Sequence, residues 1–575
     1  MDRQPNRVLS EEIEIYIRTF HSLLRSSGEV RVRAFEEAHI FSDSSLHSGA
    51  RSPEPDVAAF AYSAARLPDC MPLVRRVVMG QSHEHFEAAG FEVQAWSLVR
   101  TRGRRRPLRW DGRETLAVFL TSISDIDDLV PILTAYQIEW NKLHRLLERT
   151  ALGERLRLAP NLDALEIPIE ELEASLSVGT HDAHNLLVAL GPSPGLGLRE
   201  IATRPLDLAV RMLAGSYSQY QRAAQRWWTG VDAGYLQDRE PRRRPVYFVS
   251  SNTHSLSNLL GGYARAHEEK IVAFARAHNP ENLAPRLEEA RARNDEHEYF
   301  NILYYLLREL IHRAPDAREK RKEVLEYDAK SGIVTLESPG RIDVSAQVIE
   351  LCKLDPRRID PRIHFPGMER LARSDAVILN IDYPLGVAAY HHLSRLGQGV
   401  GEIRGIYVMG KAATLNGRVG DAMISSEVYD EHSRNVYYFQ NCFRASDVQP
   451  YLREGSVFDN QKALSARGSF LQNWRYMHTY YREGYTVLEM EAGPYLSAIY
   501  ELVYPSRHPT DEVVHLSNVT PFDVGLLHYA SDTPYSRRQT LLSKSLSFFG
   551  VESTYGCAIA IARRILQREA ARIEP

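Results

Sequence analysis

The chain has 575 residues, 44% hydrophobic and 25% charged, with a formal net charge of −4. This is globular composition, long enough for two to four domains at roughly 100–200 residues each. The charge balance gives no whole-chain attraction for nucleic acid or an anionic membrane, so neither is expected as a partner.

Cys70, Cys352, Cys442 and Cys557 are scattered without CxxC spacing, which points to a reduced, cytoplasmic chain. The stretch MDRQPNRVLSEEIEIYIRTF mixes acids into its apolar positions and has no signal-peptide core. No apolar run approaches the ~18 residues of a membrane span. A soluble protein is expected.

Residues 1–240 read as an α-rich or α+β domain whose role the sequence does not state. EVQAWSLVRTRGRRRPLRWDG followed by TLAVFLTSIS predicts strands joined by a basic turn. In residues 129–147, Leu129, Ile132, Leu133, Tyr136, Trp140, Leu143 and Leu147 share one helical face. The basic runs at 100–109 and 239–246 read as solvated loops, with a phosphate site as the sharper alternative. Residues 241–373 form a connecting region that includes a helix over 296–312 and can supply the first strand or strands of the core. Its opening, VYFVSSNTHSLSNLL (Val246–Leu260), is an apolar strand that ends in Ser250, Ser251, Asn252, Thr253 and His254 before a helix. Such residues cap helix N–H groups, and the same groups can hold an anion.

From 374 to 575 the grammar becomes regular. DAVILNIDYPLGVAAYHHLSRL, IRGIYVMGKAATLNGRVGDAMIS, YTVLEMEAGPYLSAIYELV and VGLLHYASDTPY each lead an apolar strand into a polar turn, and TYGCAIAIARRILQREAARI closes as a helix. Strands alternating with helices predict a largely parallel sheet, whose ligands bind beyond the carboxyl ends of its strands. Four polar clusters sit at such ends: Asp382–Gly386, Gly410–Leu415, Glu489–Glu491 and Ser531-Asp532. The two glutamates around Met490 pose the sharpest question, because a buried carboxylate needs a partner.

These clusters, in this order over about the last 200 residues, resemble the nucleoside phosphorylase and nucleosidase superfamily. The motifs that carry the resemblance are NIDYPLGVAAYHHL, GKAATL followed by GRVGDAMI, EMEA, and the late strand ending in SD. The resemblance implies a three-layer α/β/α core with a mixed, mostly parallel sheet, joined to a large N-terminal helical or α/β extension. It also implies a purine nucleoside or nucleotide as small-molecule partner, no cofactor, no metal, and a homo-oligomer.

Residue by residue, the resemblance assigns Glu491 to the ribose hydroxyls, Met490 to the sugar face and Asp532 to protonation of the departing base. Ser531, Gly410, Lys411 and Ala412 would line the substrate. Glu489 is counted among the substrate-binding residues, although its strand phase, opposite to Glu491, also suits a backbone or basic partner. Phe470 or Trp474 would stack on the base, with core packing as the alternative. A carboxylic acid at the base and a carboxylate at the sugar suit N-glycosidic cleavage, in which the sugar becomes positive and the base negative.

Phosphorylases of this superfamily hold phosphate with an arginine and two hydroxyl residues. Here those positions carry Val408, Lys411 and Asp382. Hydrolysis is therefore expected, with Asp382 as general base. The layout is closest to AMP nucleosidases, and Lys411, Arg418, Arg537 and Arg538 are the candidate contacts for a 5′-phosphate. Phosphorolysis, or a nucleotide sensor without turnover, are the alternatives. HEH at 83–85, HDAH at 181–184 and DEHE at 295–298 lack further ligands at matching spacing, so no metal site is expected from them.

Overall fold

The structure, a computed structural model, describes residues 11–103, 106–162, 166–235, 244–314, 316–504, 508–517, 519–533 and 548–574. It divides into two compact units.

The first unit comprises residues 1–223 with the short returns 385–388 and 466–483. Its sheet has strands β1 (Val30–Arg31), β2 (Arg76–Gly80), β3 (Ser97–Val99), β4 (Leu108–Trp110), β5 (Thr115–Phe119) and β6 (Ala209–Met212). Their spatial order is β1-β6-β2-β5-β4-β3, with β2 parallel to both neighbours. Most of the unit is nonetheless helical, and the predicted helix appears as Ile123–Leu147, longer at its start. Ser122 and Asp125 form a capping box there, a device that satisfies two orphan amides at once.

The basic turn before β4 is not simply solvated. Arg106 is buried and pairs with Asp125 at 3.1 Å and Asp128 at 2.9 Å. Its charge is used inside the fold, because a guanidinium fork can satisfy two carboxylates of one helix start.

A second buried charge network crosses this unit. Glu139 is fully buried and accepts from Lys142 Nζ at 2.6 Å and the Asp56 amide at 2.5 Å. Its carboxylate also lies 2.7 Å from His47 Nε2, and His47 lies 2.8 Å from His39. Burial and the neighbouring His47 and Lys142 hold His39 well below the ordinary imidazole range.

The second unit comprises 224–384, 389–465 and 484–575. Its strands are β7 (Val246–Ser250), β8 (Ile333–Leu336), β9 (Ala346–Glu350), β10 (Val377–Ile381), β11 (Ile403–Thr414), β12 (Ala422–Asp430), β13 (Val436–Tyr438), β14 (Val457–Ser465), β15 (Tyr485–Glu489), β16 (Val513–His515) and β17 (Asp523–Asp532). A parallel block runs β10-β7-β11-β17. β17 also pairs with β12, β12 with β14, β14 with β15, and β15 returns to β11. These five strands close into a ring, so part of the mixed sheet is a small barrel.

The helix Val551–Arg572 covers the sheet and buries Tyr555, Cys557, Ile559, Ile561, Ile565 and Leu566. Burying each large aliphatic side chain contributes about 1.5–3 kcal/mol. The predicted helix over 296–312 appears as Glu296–Arg313, capped by Asp295.

One expectation changes. GKAATL is not a loop, because β11 continues through Thr414, where Ala413 and Thr414 pair with β15. The apolar pattern stops at Gly410, but the ladder does not. No described helix is long and apolar enough to cross a membrane.

Replacing Glu139 with Ala strands Lys142 and His47 without their buried acceptor. The expected loss is about 3–5 kcal/mol in chemical denaturation, the cost of breaking a buried pair from one side.

Candidate functional site

The carboxyl ends of β7, β10, β11, β15 and β17 carry the polar residues singled out above. Glu489 ends β15 and is almost wholly buried. Its Oε2 accepts the amides of Glu491 at 2.6 Å and Ala492 at 2.7 Å, and its Oε1 accepts the Ser465 hydroxyl. Ser465 Oγ in turn accepts the Gly493 amide at 2.7 Å. Three orphan N–H groups of the helix Ala492–Val503 are thereby satisfied from below.

Glu489 is thus occupied by the chain's own donors rather than presented to a ligand, and its partners are backbone and serine instead of a basic side chain. Glu491 is the N-cap of that helix, half-buried, and its side chain does not cap. Met490 between them is half-buried.

His528 of β17 stands 4.0 Å from Glu489 Oε2 through its Nε2, with both side chains buried. Desolvation, then the charge of Glu491, pushes the Glu489 carboxyl up to about 8 against the pull of its three donors. Burial pushes the His528 imidazole down to about 4. Near neutral pH the pair is favoured without net charge. In the ladder His528 pairs with Gly410. A Cβ on Gly410 would lie 3.6 Å from Tyr383 Cε1 and 3.9 Å from His528 Cδ2, so the two rings flank the glycine.

Asp532 ends β17. Ala413 of β11 pairs with Leu488 on one side and with Asp532 on the other. The acid is therefore two strand spacings from β15, about 10 Å. The register of β17 slips between Ala412 and Ala413, so Ser531 is the extra residue of a bulge. Bulges re-aim side chains beside functional sites. Ser531 Oγ lies 2.7 Å from Asp532 Oδ2 and 3.3 Å from the Ala412 carbonyl. Asp532 is 8% exposed. Asp382, just past β10, is buried, and its carboxylate accepts the Tyr383 amide at 3.0 Å. Lys411 is exposed and Ala412 buried.

Phe470 belongs to the first unit. It is 1% exposed, and its ring packs in the first unit against Tyr62, His39 and His47 at centroid distances of 5.3, 5.9 and 6.3 Å. Core packing accounts for it. Trp474 is partly exposed at the start of a helix of the same unit.

A cavity of about 660 Å³ opens one residue past Asp532. Thr533, His297, Arg453 and Phe548 are among its lining, and of the residues singled out for the substrate only Arg418, a candidate 5′-phosphate contact, is there. Arg537 and Arg538 lie outside the described residues.

In the Ser250–His254 segment, Asn252 Oδ1 accepts the amides of His254 and Ser255, so it caps the following helix. The sequence shows that cap but does not single out His528 or Ser465. The one local signal for them is a polar residue inside an apolar strand. Among the described residues no group of three or more His, Cys, Asp or Glu is placed to hold a metal.

A family model described as "Family of unknown function (DUF6909)" matches residues 32–567. No curated protein matches the chain. Among solved structures the similarity is distant. Uridine phosphorylase from Schistosoma mansoni in apo form shares 15% identity over 33% of this chain and 71% of its own, with a TM-score of 0.24. A putative methylthioadenosine nucleosidase from Weissella paramesenteroides shares 11% over 43% and 93%, with a TM-score of 0.27. The 5′-methylthioadenosine/S-adenosylhomocysteine nucleosidase from S. pneumoniae, with a transition-state inhibitor, shares 8% over 56% and 97%, with a TM-score of 0.29.

The raised carboxyl of Glu489 makes a signed prediction. The folded state holds a proton between the ordinary glutamate value and about 8 that the unfolded chain has released. This group's contribution to stability is therefore full at low pH and is lost as pH rises through that window. Glu489→Gln can still accept both amides and does not titrate. Denaturation from pH 5 to 9 should show wild type losing stability relative to the variant as pH rises.

Proposed function

The chain belongs to DUF6909, a family of unknown function, and we propose that it hydrolyses the N-glycosidic bond of a purine nucleoside or nucleotide. The observation that carries this reading is the shared register of Ala413, which sets Asp532 and the Glu489–Glu491 turn on either side of one strand. A base-side acid and a sugar-side carboxylate with one nucleoside between them need that kind of separation.

In the proposed reaction Asp532 gives its proton to the leaving base, general acid catalysis worth about 10²–10⁴-fold. Glu491 accepts from the ribose hydroxyls, and its charge stabilises the cation that builds at the sugar. Met490 packs on the sugar. Asp382 accepts the proton of the attacking water. The EMEA and SD motifs and the strand-end placement support these roles.

Val408 and Asp382, at the positions where phosphorylases hold phosphate, favour water over phosphate as nucleophile. Asp382 is buried, and a carboxylate repels a phosphate dianion more strongly there than in water. An AMP nucleosidase-like preference for a 5′-phosphate would draw on Lys411 or Arg418. A cytoplasmic homo-oligomer is part of the same reading.

The test is a screen of purine nucleosides and nucleotides for free base, run with and without phosphate. Release independent of phosphate, with free ribose or ribose 5-phosphate as product, is expected. Asp532→Asn should cut base release at least about 100-fold while equilibrium binding of the same nucleoside persists. Binding by wild type without any release would identify a sensor instead.

A further inference from the structure

The sheet of the first unit carries its own reversal of strand order. From β2 the chain passes through β3 and β4 to β5 on one side, then reaches β6 on the other, and β2 is parallel to both. Open α/β sheets bind ligands in the crevice beyond the carboxyl ends of the strands at such a reversal. The last ladder bonds of β2 run from the Leu120 amide to the Gly80 carbonyl at 2.7 Å and from the Leu213 amide to the Met79 carbonyl at 2.8 Å. Gln81 is therefore the first residue beyond the ladder on both sides, in the row of Leu120 and Ala214.

Gln81 is 6% exposed, yet neither its Oε1 nor its Nε2 has a hydrogen-bond partner among the described residues. A buried carboxamide ordinarily satisfies both ends, and leaving either unmet is unfavourable. Strand phase turns Gln81 away from the apolar cluster of Val78, Phe86, Ala117 and Phe119, because Val78 faces that cluster and residues of opposite phase face the other way. In its own row the end of β6 brings only Ala214, followed by Gly215, where a Cβ would lie 3.4 Å from Tyr220 Oη.

The loops after β2 and β6 are tied together. Gln219 Oε1 accepts the Gly215 and Ser216 amides at 3.0 and 2.9 Å, which leaves its Nε2 to donate to His85 Nε2 at 3.1 Å. His85 then donates through Nδ1 to Ser82 Oγ at 3.0 Å. The second histidine of the HEH run is thus a strut between the two loops, and it fixes their shape before any ligand arrives, which lowers the ordering cost of binding.

We infer that Gln81 is the recognition residue of a second small-molecule site, one that takes the edge of a nucleobase. Its carboxamide offers one acceptor and one donor in a single plane. A cation would satisfy only Oε1 and an anion only Nε2. An amino-purine or lactam edge presents a donor beside an acceptor and meets both, as glutamine does with adenine in a bidentate pair. The site lies wholly in the first unit and is separate from the reaction proposed above, whose residues belong to the second.

The test is isothermal titration calorimetry of the full chain with three bases. 9-Methyladenine and 9-methylhypoxanthine carry an amino-purine and a lactam edge, and N6,N6,9-trimethyladenine has no donor. Gln81→Leu and Gln81→Met delete both ends of the carboxamide at similar size. Thermal melting verifies folding, and Gln81→Met serves if Gln81→Leu does not fold. Asp532→Asn is the control in the second unit. At least one edge-bearing base is expected to bind wild type and Asp532→Asn alike, and the Gln81 variants about 10–100-fold more weakly. The trimethyl compound should bind wild type no better than it binds the variants. Equal affinity of wild type and the folded Gln81 variants overturns the inference. So does a trimethyl compound that binds wild type as tightly as the better of the other two, or wild type that binds neither of them. Binding lost in Asp532→Asn and kept in the Gln81 variants places the base in the second unit and overturns it as well. Absence of base release from every nucleoside and nucleotide overturns the hydrolytic reading alone.

Discussion

A glutamate placed beneath the start of a helix governs the turn that follows β15. Glu489 gives one oxygen to two amides and the other to Ser465, whose hydroxyl oxygen takes the third amide. Ordinarily the N-cap side chain performs that service for its own helix. Here it is performed from the strand below, so Glu491 keeps its N-cap position without capping. Gly493 is part of the same device. A Cβ there would sit 2.5 Å from Asp430 Cβ, so only glycine lets the helix start settle onto the ends of β12 and β14. In E-M-E-A-G, the first glutamate and the glycine shape the turn that the second glutamate occupies.

How much of this is legible in the sequence follows from how local each signal is. The strand–helix grammar of residues 374–575 is readable because apolar runs of strand length alternate with Gly, Pro and acidic turns. The helices at 123–147 and 296–313 are readable from their apolar stripes. The barrel is not. β14, VFDNQKALS, is half polar and pairs with strands distant in sequence. β11 continues through Lys411, which carries no strand signal of its own. Phe470 resembles a base-stacking residue by its neighbours in sequence, yet its packing partners lie about four hundred residues earlier. Arg106 reads as solvated in a basic run because its carboxylates arrive from the next helix.

At the site the legible part is residue type and order, and the hidden part is register. EMEA and SD announce carboxylates at strand ends. Only the ladder tells that both flank Ala413, that Ser531 is the bulged residue beside Asp532, and that His528 reaches toward Glu489. A one-residue slip in pairing would turn every one of these side chains to the other face. The motif names the groups, and long-range pairing brings them to one place.

The electrostatics around Glu489 follow from which of its neighbours are neutral. Glu489 is pushed toward its protonated form and His528 toward its uncharged form, so the floor carries little net charge near neutral pH. The acidic residues Glu491, Asp382 and Asp532 stand at the neighbouring strand ends, with Lys411 exposed.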